Sequence, residues 1–189
     1  NPYFTEDGVS RSFGFTHRSS KPYVEQGGDY RLISEAASVN FGIPVSELDR
    51  IYTGLGVEQT EIVPGTNLPA SYQSYANTYG YKTTTAPLTL GWSRDGRDSS
   101  LNPSSGKYIR ANGEVGVAGD VKYVRYGGQY QEYFALTKQY TFAFNADLGL
   151  GFGLDGQSYP LFKNYYSGGL GSVRGFVQGT LGPQDVSGI

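Results

Sequence analysis

A strict two-residue alternation does most to limit what this chain can become. In "YTFAFNADLGLGFGL", Tyr140, Phe142, Phe144, Ala146, Leu148, Leu150, Phe152 and Leu154 fall on one parity. Thr141, Ala143, Asn145, Asp147, Gly149, Gly151 and Gly153 fall on the other. Successive side chains of a strand point to opposite faces. One face of this strand is therefore large and apolar, and the other is small or polar. A helix would scatter the same residues around its circumference.

The pattern recurs. Ile51, Leu55 and Val57 oppose Tyr52, Gly54, Gly56 and Glu58; Val124, Tyr126, Tyr130, Phe134 and Leu136 oppose Arg125, Gln129 and Gln131. Ala37, Val39, Phe41 and Ile43 form another apolar face before "PVSELD". Phe13 and Phe15, then Leu88, Leu90 and Trp92, then Ile109, Ala111, Val115 and Val117, alternate with small or polar neighbours. The fold class expected is all-β, with about seven antiparallel strands of roughly 10 residues or more. Soluble sheets average about 5–6 residues per strand, whereas a tilted strand needs roughly 9–11 to cross a bilayer. A soluble sandwich or propeller also alternates, but its core would need bulky residues on both packed faces. Asn145, Asp147, Glu114 and Arg125 suit a wet lumen instead. The reading is part of a transmembrane barrel.

The connections are uneven. "TEDG", "PVSELD" and "LTKQ" read as short turns, while "SSKPYVEQGGD" and "VPGTNLPASYQSYAN" read as long polar loops. Short turns at one end and long loops at the other mark outer-membrane barrels. "RDGRDSSLNPSSGK" departs from this, being long where a short turn is expected. Tyr30, Tyr79, Tyr81, Tyr108, Tyr123 and Tyr140, near strand ends, are expected to form an interfacial girdle.

Composition removes other classes. The 28 Gly, 17 Tyr and 10 Phe among 189 residues favour strands over helices. No Cys is present, so neither disulfides nor thiol chemistry arise. A net charge of −2 without a basic stripe gives no argument for nucleic acid. No apolar run reaches the roughly 18 residues of a spanning helix, which leaves barrels untouched. With no Met and a start at Asn1-Pro2-Tyr3-Phe4, the chain reads as a piece of a longer polypeptide.

Motifs for chemistry fail on inspection. Gly151-Phe152-Gly153-Leu154-Asp155-Gly156 fits G-x-G-x-x-G, but a dinucleotide site needs a helix to start there. Tyr159-Pro160 follows instead, so lumen-facing glycine on a strand entering a turn is expected. His17, the only histidine, cannot build a multi-histidine metal site and reads as a polar group near a strand end. Asp95, Asp98 and Asn102 lack the spacing of a calcium loop and read as Asx-turn residues. No catalytic residue, metal or cofactor is expected.

One segment remains unexplained by alternation. "FKNYYSGGLGSVRGFVQGTLGP" sets Val173-Arg174-Gly175-Phe176 after Gly168, Gly169 and Gly171. An arginine held between glycines and an aromatic ring raises the question of a receiving site, and from the residues alone a simple surface turn is the other reading. This segment resembles the sixth extracellular loop of the Omp85 superfamily, and "NPYFTEDGVSR" is similar to a segment of its assembly-factor branch.

The resemblance runs along essentially the whole chain. It implies that residues 1–189 are about seven of roughly sixteen strands of an outer-membrane barrel. The chain would end within the extracellular loop carrying the arginine motif, with periplasmic POTRA domains and the remaining strands lying elsewhere. It also implies a protein that folds and inserts other outer-membrane proteins without bond chemistry. Its partners would be unfolded barrel substrates, accessory lipoproteins and the lipid bilayer of the bacterial outer membrane. Arg174 would turn into the lumen, with Val173 and Phe176 packing the loop tip and the glycines shaping it. Its usual acidic receivers lie on strands beyond Ile189, leaving Glu114, Asp147 or Glu132 as local substitutes. A two-partner secretion transporter and a passive porin are the alternatives, with a soluble β-domain remaining behind them.

Overall fold

The computed structural model describes residues 8–21, 29–137, 139–165 and 175. These form one seven-stranded sheet in the order β1-β2-β3-β4-β5-β6-β7, each strand antiparallel to the next. The strands are β1 (Ser10–Ser20), β2 (Asp29–Pro44), β3 (Asp49–Asn67), β4 (Lys82–Asp95), β5 (Gly106–Gly119), β6 (Tyr123–Ala135) and β7 (Thr141–Gly153). One helix, α1 (Ala70–Tyr79), interrupts the meander between β3 and β4. The all-β expectation holds.

Register turns the alternation into two surfaces. One row, Phe13–Val39–Leu55–Leu88–Val115–Val124–Phe152, crosses the sheet partner to partner and is apolar throughout. The adjacent row, Ser12–Asn40–Gly54–Thr89–Glu114–Arg125–Gly151, is small or polar throughout. A slip of one residue in any strand would exchange the two sets, so the pattern fixes the pairing. The apolar surface is uncovered: Phe15 is 86% exposed and Leu148 66%. A contiguous apolar face of this extent marks contact with lipid or another apolar surface. Polar pairs bound it: His17 Nδ1 lies 3.0 Å from Glu35 Oε1 at one border, and the Trp92 indole N–H donates to Asp49 Oδ1 at 3.2 Å at the other.

The turns 45–48, 96–105 and 136–140 share one end of the sheet. "PVSELD" is tight as expected, closed by Val45 N–H donating to the Asp49 carbonyl at 2.9 Å. The longer 96–105 connection is organised by Asp98, which accepts from Ser104 N–H at 2.9 Å, from Ser105 N–H at 3.2 Å and from the Ser104 hydroxyl. The Ser104 hydroxyl and these amides hold the Asp98 carboxyl well below the usual carboxylate range. This is the Asx chemistry expected. The turn expected at "TEDG" lies outside the described residues except for Gly8, and the loop expected at "SSKPYVEQGGD" lies outside them for residues 22–28.

Two expectations for the opposite end need correction. "VPGTNLPASYQSYAN" is not a loop. Its first five residues finish β3, and Pro69 then leads into α1. Tyr72, Tyr75 and Ala76, at helical spacing, bury one face of α1, and Gly80 closes it with φ 90° and an N–H bond of 2.8 Å to the Ala76 carbonyl. Nor are all the strand-end tyrosines a girdle. Tyr30 and Tyr123 point to the small-residue face, 5% and 0% exposed. Tyr30 packs on Tyr72 at 4.6 Å between ring centroids, and Tyr75 packs on Tyr79 at 4.8 Å. Tyr108 lies on the same parity, under the Arg97 guanidinium at 4.8 Å. Only Tyr81 and Tyr140 of that set are largely exposed. The small core (Tyr30, Ile62, Tyr72, Tyr75 and Val121, with Leu161 and Phe162 beside it) therefore sits on the polar face, at the end opposite the tight turns.

Candidate functional site

The chain leaving β7 does not run away from the sheet. Asp155 and Gly156 take left-handed φ values of 54° and 75°, turning the backbone sharply after Gly153. Leu154 N–H then donates to the Lys122 carbonyl at 3.0 Å, and Lys122 N–H to Gln157 Oε1 at 2.7 Å. Ser158 N–H donates to the Tyr79 hydroxyl at 2.8 Å, joining this segment to α1. Pro160 is fully buried, and a short helical turn at Leu161–Lys163 follows. Phe162 meets Tyr75 edge-to-face at 5.8 Å. Residues 154–165 thus lie against the small-residue face.

Glycines on β7 receive this segment. A Cβ placed on Gly151 would stand 2.4 Å from the Tyr159 ring, and one on Gly149 2.7 Å from the Tyr165 ring. No side chain fits in either place, so the glycines are sockets for two tyrosines. The G-x-G-x-x-G match is explained by this packing and by the turn. Tyr159 also donates to the Lys163 carbonyl at 2.9 Å, and Tyr165 to the Tyr126 carbonyl at 2.8 Å. The Arg125 guanidinium sits 4.5 Å over the Tyr165 ring and donates through Nε to its hydroxyl at 3.2 Å. Burial pushes the Tyr159 phenol upward from its ordinary pKa.

Between these two tyrosines along the chain stands Lys163, whose ammonium meets two acids. Lys163 Nζ is 2.5 Å from Glu58 Oε2 on β3 and 3.2 Å from Glu114 Oε1 on β5. The lysine side chain is 12% exposed and each glutamate 20%. The Tyr123 hydroxyl donates to the same Glu114 oxygen at 2.5 Å, and its ring lies 5.6 Å beneath Nζ. Charge-assisted bonds of this kind contribute about 1.5–3 kcal/mol each. Their partial burial raises the cost of leaving either carboxylate alone.

Of the expected loop residues, Gly175 alone is described: its φ of 91° is the left-handed conformation that favours glycine. Val173, Arg174, Phe176, Gly168, Gly169 and Gly171 lie outside the described residues. Their proposed acidic substitutes fall out differently. Glu132 is on the apolar parity of β6, paired across to Phe144 and Lys107, so it cannot face a lumenal cation. Glu114 faces inward but is already bound by Lys163 and Tyr123. Asp147 faces inward and accepts from Asn145 Nδ2 at 2.9 Å. Sequence reasoning missed Lys163, Glu58, Tyr159 and Tyr165. The available signal was the pair of glycines on β7 facing a tyrosine-rich segment.

A seven-stranded meander with a lipid-type outer face, and a post-β7 segment folded onto its polar face, defines part of an outer-membrane barrel. The Omp85 superfamily domain model matches residues 1–188, and the chain belongs to that superfamily. It is 32% identical, over 97% of its length, to the outer membrane protein assembly factor BamA of Neisseria meningitidis serogroup B (strain ATCC BAA-335 / MC58). It spans 25% of that protein. The crystal structure of BamA from Haemophilus ducreyi lacking POTRA domains 1-3 matches it with a TM-score of 0.86 and 25% identity. That match covers 97% of this chain and 37% of the other. The chain's place is the bacterial outer membrane.

Proposed function

We propose that this chain is the central wall of a barrel that folds and inserts other β-barrel proteins into the bacterial outer membrane, without bond chemistry. The observation that carries the reading is the likeness to an assembly factor along 97% of the chain. The inward course of residues 154–165 supports it, because the chain leading towards the motif lies against the small-residue face of the sheet. In this reading POTRA domains and the remaining strands complete the protein. Unfolded outer-membrane proteins, accessory lipoproteins and the bilayer are its partners. Val173-Arg174-Gly175-Phe176 is the lumenal tip of the loop, with Gly168, Gly169 and Gly171 shaping its approach. Arg174 holds the working conformation of the barrel through a charge-assisted pair.

The test is insertion. The full-length protein in liposomes should speed the appearance of protease-resistant barrel substrate over empty liposomes, and Arg174→Ala should slow it. No acceleration, together with steady ion conductance, would instead identify a secretion pore or porin.

A further inference from the structure

Glu58 and Glu114 are not cross-strand partners. β4 lies between their strands, where Glu58 pairs with Thr85 and Glu114 with Thr89. Their side chains nevertheless converge until one ammonium touches both. Each is only 20% exposed, so solvent screens them poorly from one another. The adjoining cation, Arg125, is occupied with Tyr165. Three donors on a compact charge suit a site with two carboxylates on different strands, which a planar guanidinium fits less well.

We infer that Lys163 is the positioning residue of the loop, and that it acts by cancelling the repulsion between Glu58 and Glu114. Seating of the loop root and convergence of β3 with β5 are then one event. With the lysine in place, two inward acids become an anchor. Without it they push apart and draw water, and the tyrosines leave the Gly149 and Gly151 sockets. The inference rests on the described course of residues 154–165 and holds whatever polypeptide the barrel handles.

Hydrogen–deuterium exchange on the full-length protein in lipid nanodiscs tests it. Lys163→Met should speed exchange across 154–165 at least tenfold while β6 and β7 stay protected. Glu58→Gln with Glu114→Gln, leaving the lysine unpaired, should speed it as well. The triple variant Lys163→Met, Glu58→Gln, Glu114→Gln should return exchange close to wild type, because the charges are gone and the tyrosine sockets remain. Unchanged exchange in Lys163→Met would overturn the inference. So would a triple variant as fast as the single one, which would leave lysine a packing role only. If Lys163→Met fails to fold, judged by heat-modifiable mobility, the triple variant must fold, and its failure would equally count against the idea. Insertion activity does not enter the readout, so loss of the assembly reading and loss of this one are distinguishable.

Discussion

Gly151 illustrates how a residue can act through what it lacks. A methyl group there would sit 2.4 Å from the Tyr159 ring, well inside contact distance. Gly151→Ala should therefore displace Tyr159 and cost about 1–3 kcal/mol, the usual penalty for overpacking. Thermal unfolding of the full-length protein in detergent would register the loss, and adding Tyr159→Ala should recover part of it. The sequence offered this position as a lumen-facing glycine, and parity alone sufficed for that. It did not offer the occupant, because two glycines at alternate positions are equally compatible with an empty lumen. Lys163 was illegible for a related reason: a single lysine in a loop carries no mark of the acids on β3 and β5 that it meets in the fold. Glu132 erred the other way. Counting parity from Tyr130 and Phe134 places it on the outer face from the sequence alone.

Among the elements, α1 shows where alternation stops being informative. Residues 63–79 contain Pro, Gly, Ser and Asn in the proportions of a loop. The helical face consists of tyrosines and an alanine rather than aliphatics, so its periodicity is faint to the eye. Tertiary packing decides the outcome: Tyr72 and Tyr75 find Tyr30, Ile62 and Val121, and burial also raises the Tyr75 phenol well above its ordinary pKa. Tyr75→Ala would remove a ring that touches both Tyr79 and Phe162. The expected loss is about 3–5 kcal/mol of local stability. Limited proteolysis should find the cut sites confined to the β3–β4 connection and the 154–165 segment, with the strands intact. Cleavage spread evenly over the sheet would mean that α1 supports the wall itself. The tyrosine girdle was misread because a strand-end aromatic serves either face, and the register shift between Asp29 and Tyr30 hides which one.

For the whole molecule the alternating pattern was enough to read about seven antiparallel strands and their two faces, while the order and register are seen in the structure, where parity and pairing fix one another. The face in lipid should tolerate polarity poorly. Leu148→Arg is expected to cost about 2–4 kcal/mol near the bilayer centre, while Asp147→Asn, one residue away on the other face, should cost little. Urea unfolding of the full-length protein in lipid vesicles measures both, and equal effects would contradict the assignment of faces. The glycine sockets carry a broader consequence. On the outer face the limiting quantity is charge, and almost any apolar side chain will serve. On the inner face it is volume: charge is admitted at Glu58, Glu114 and Arg125, but added bulk at Gly149 or Gly151 is not. The two sides of one sheet thus read substitutions in different currencies, and a saturation survey should separate into two alternating columns of intolerance, to polarity and to size, switching at every residue from Leu148 to Gly153 of β7.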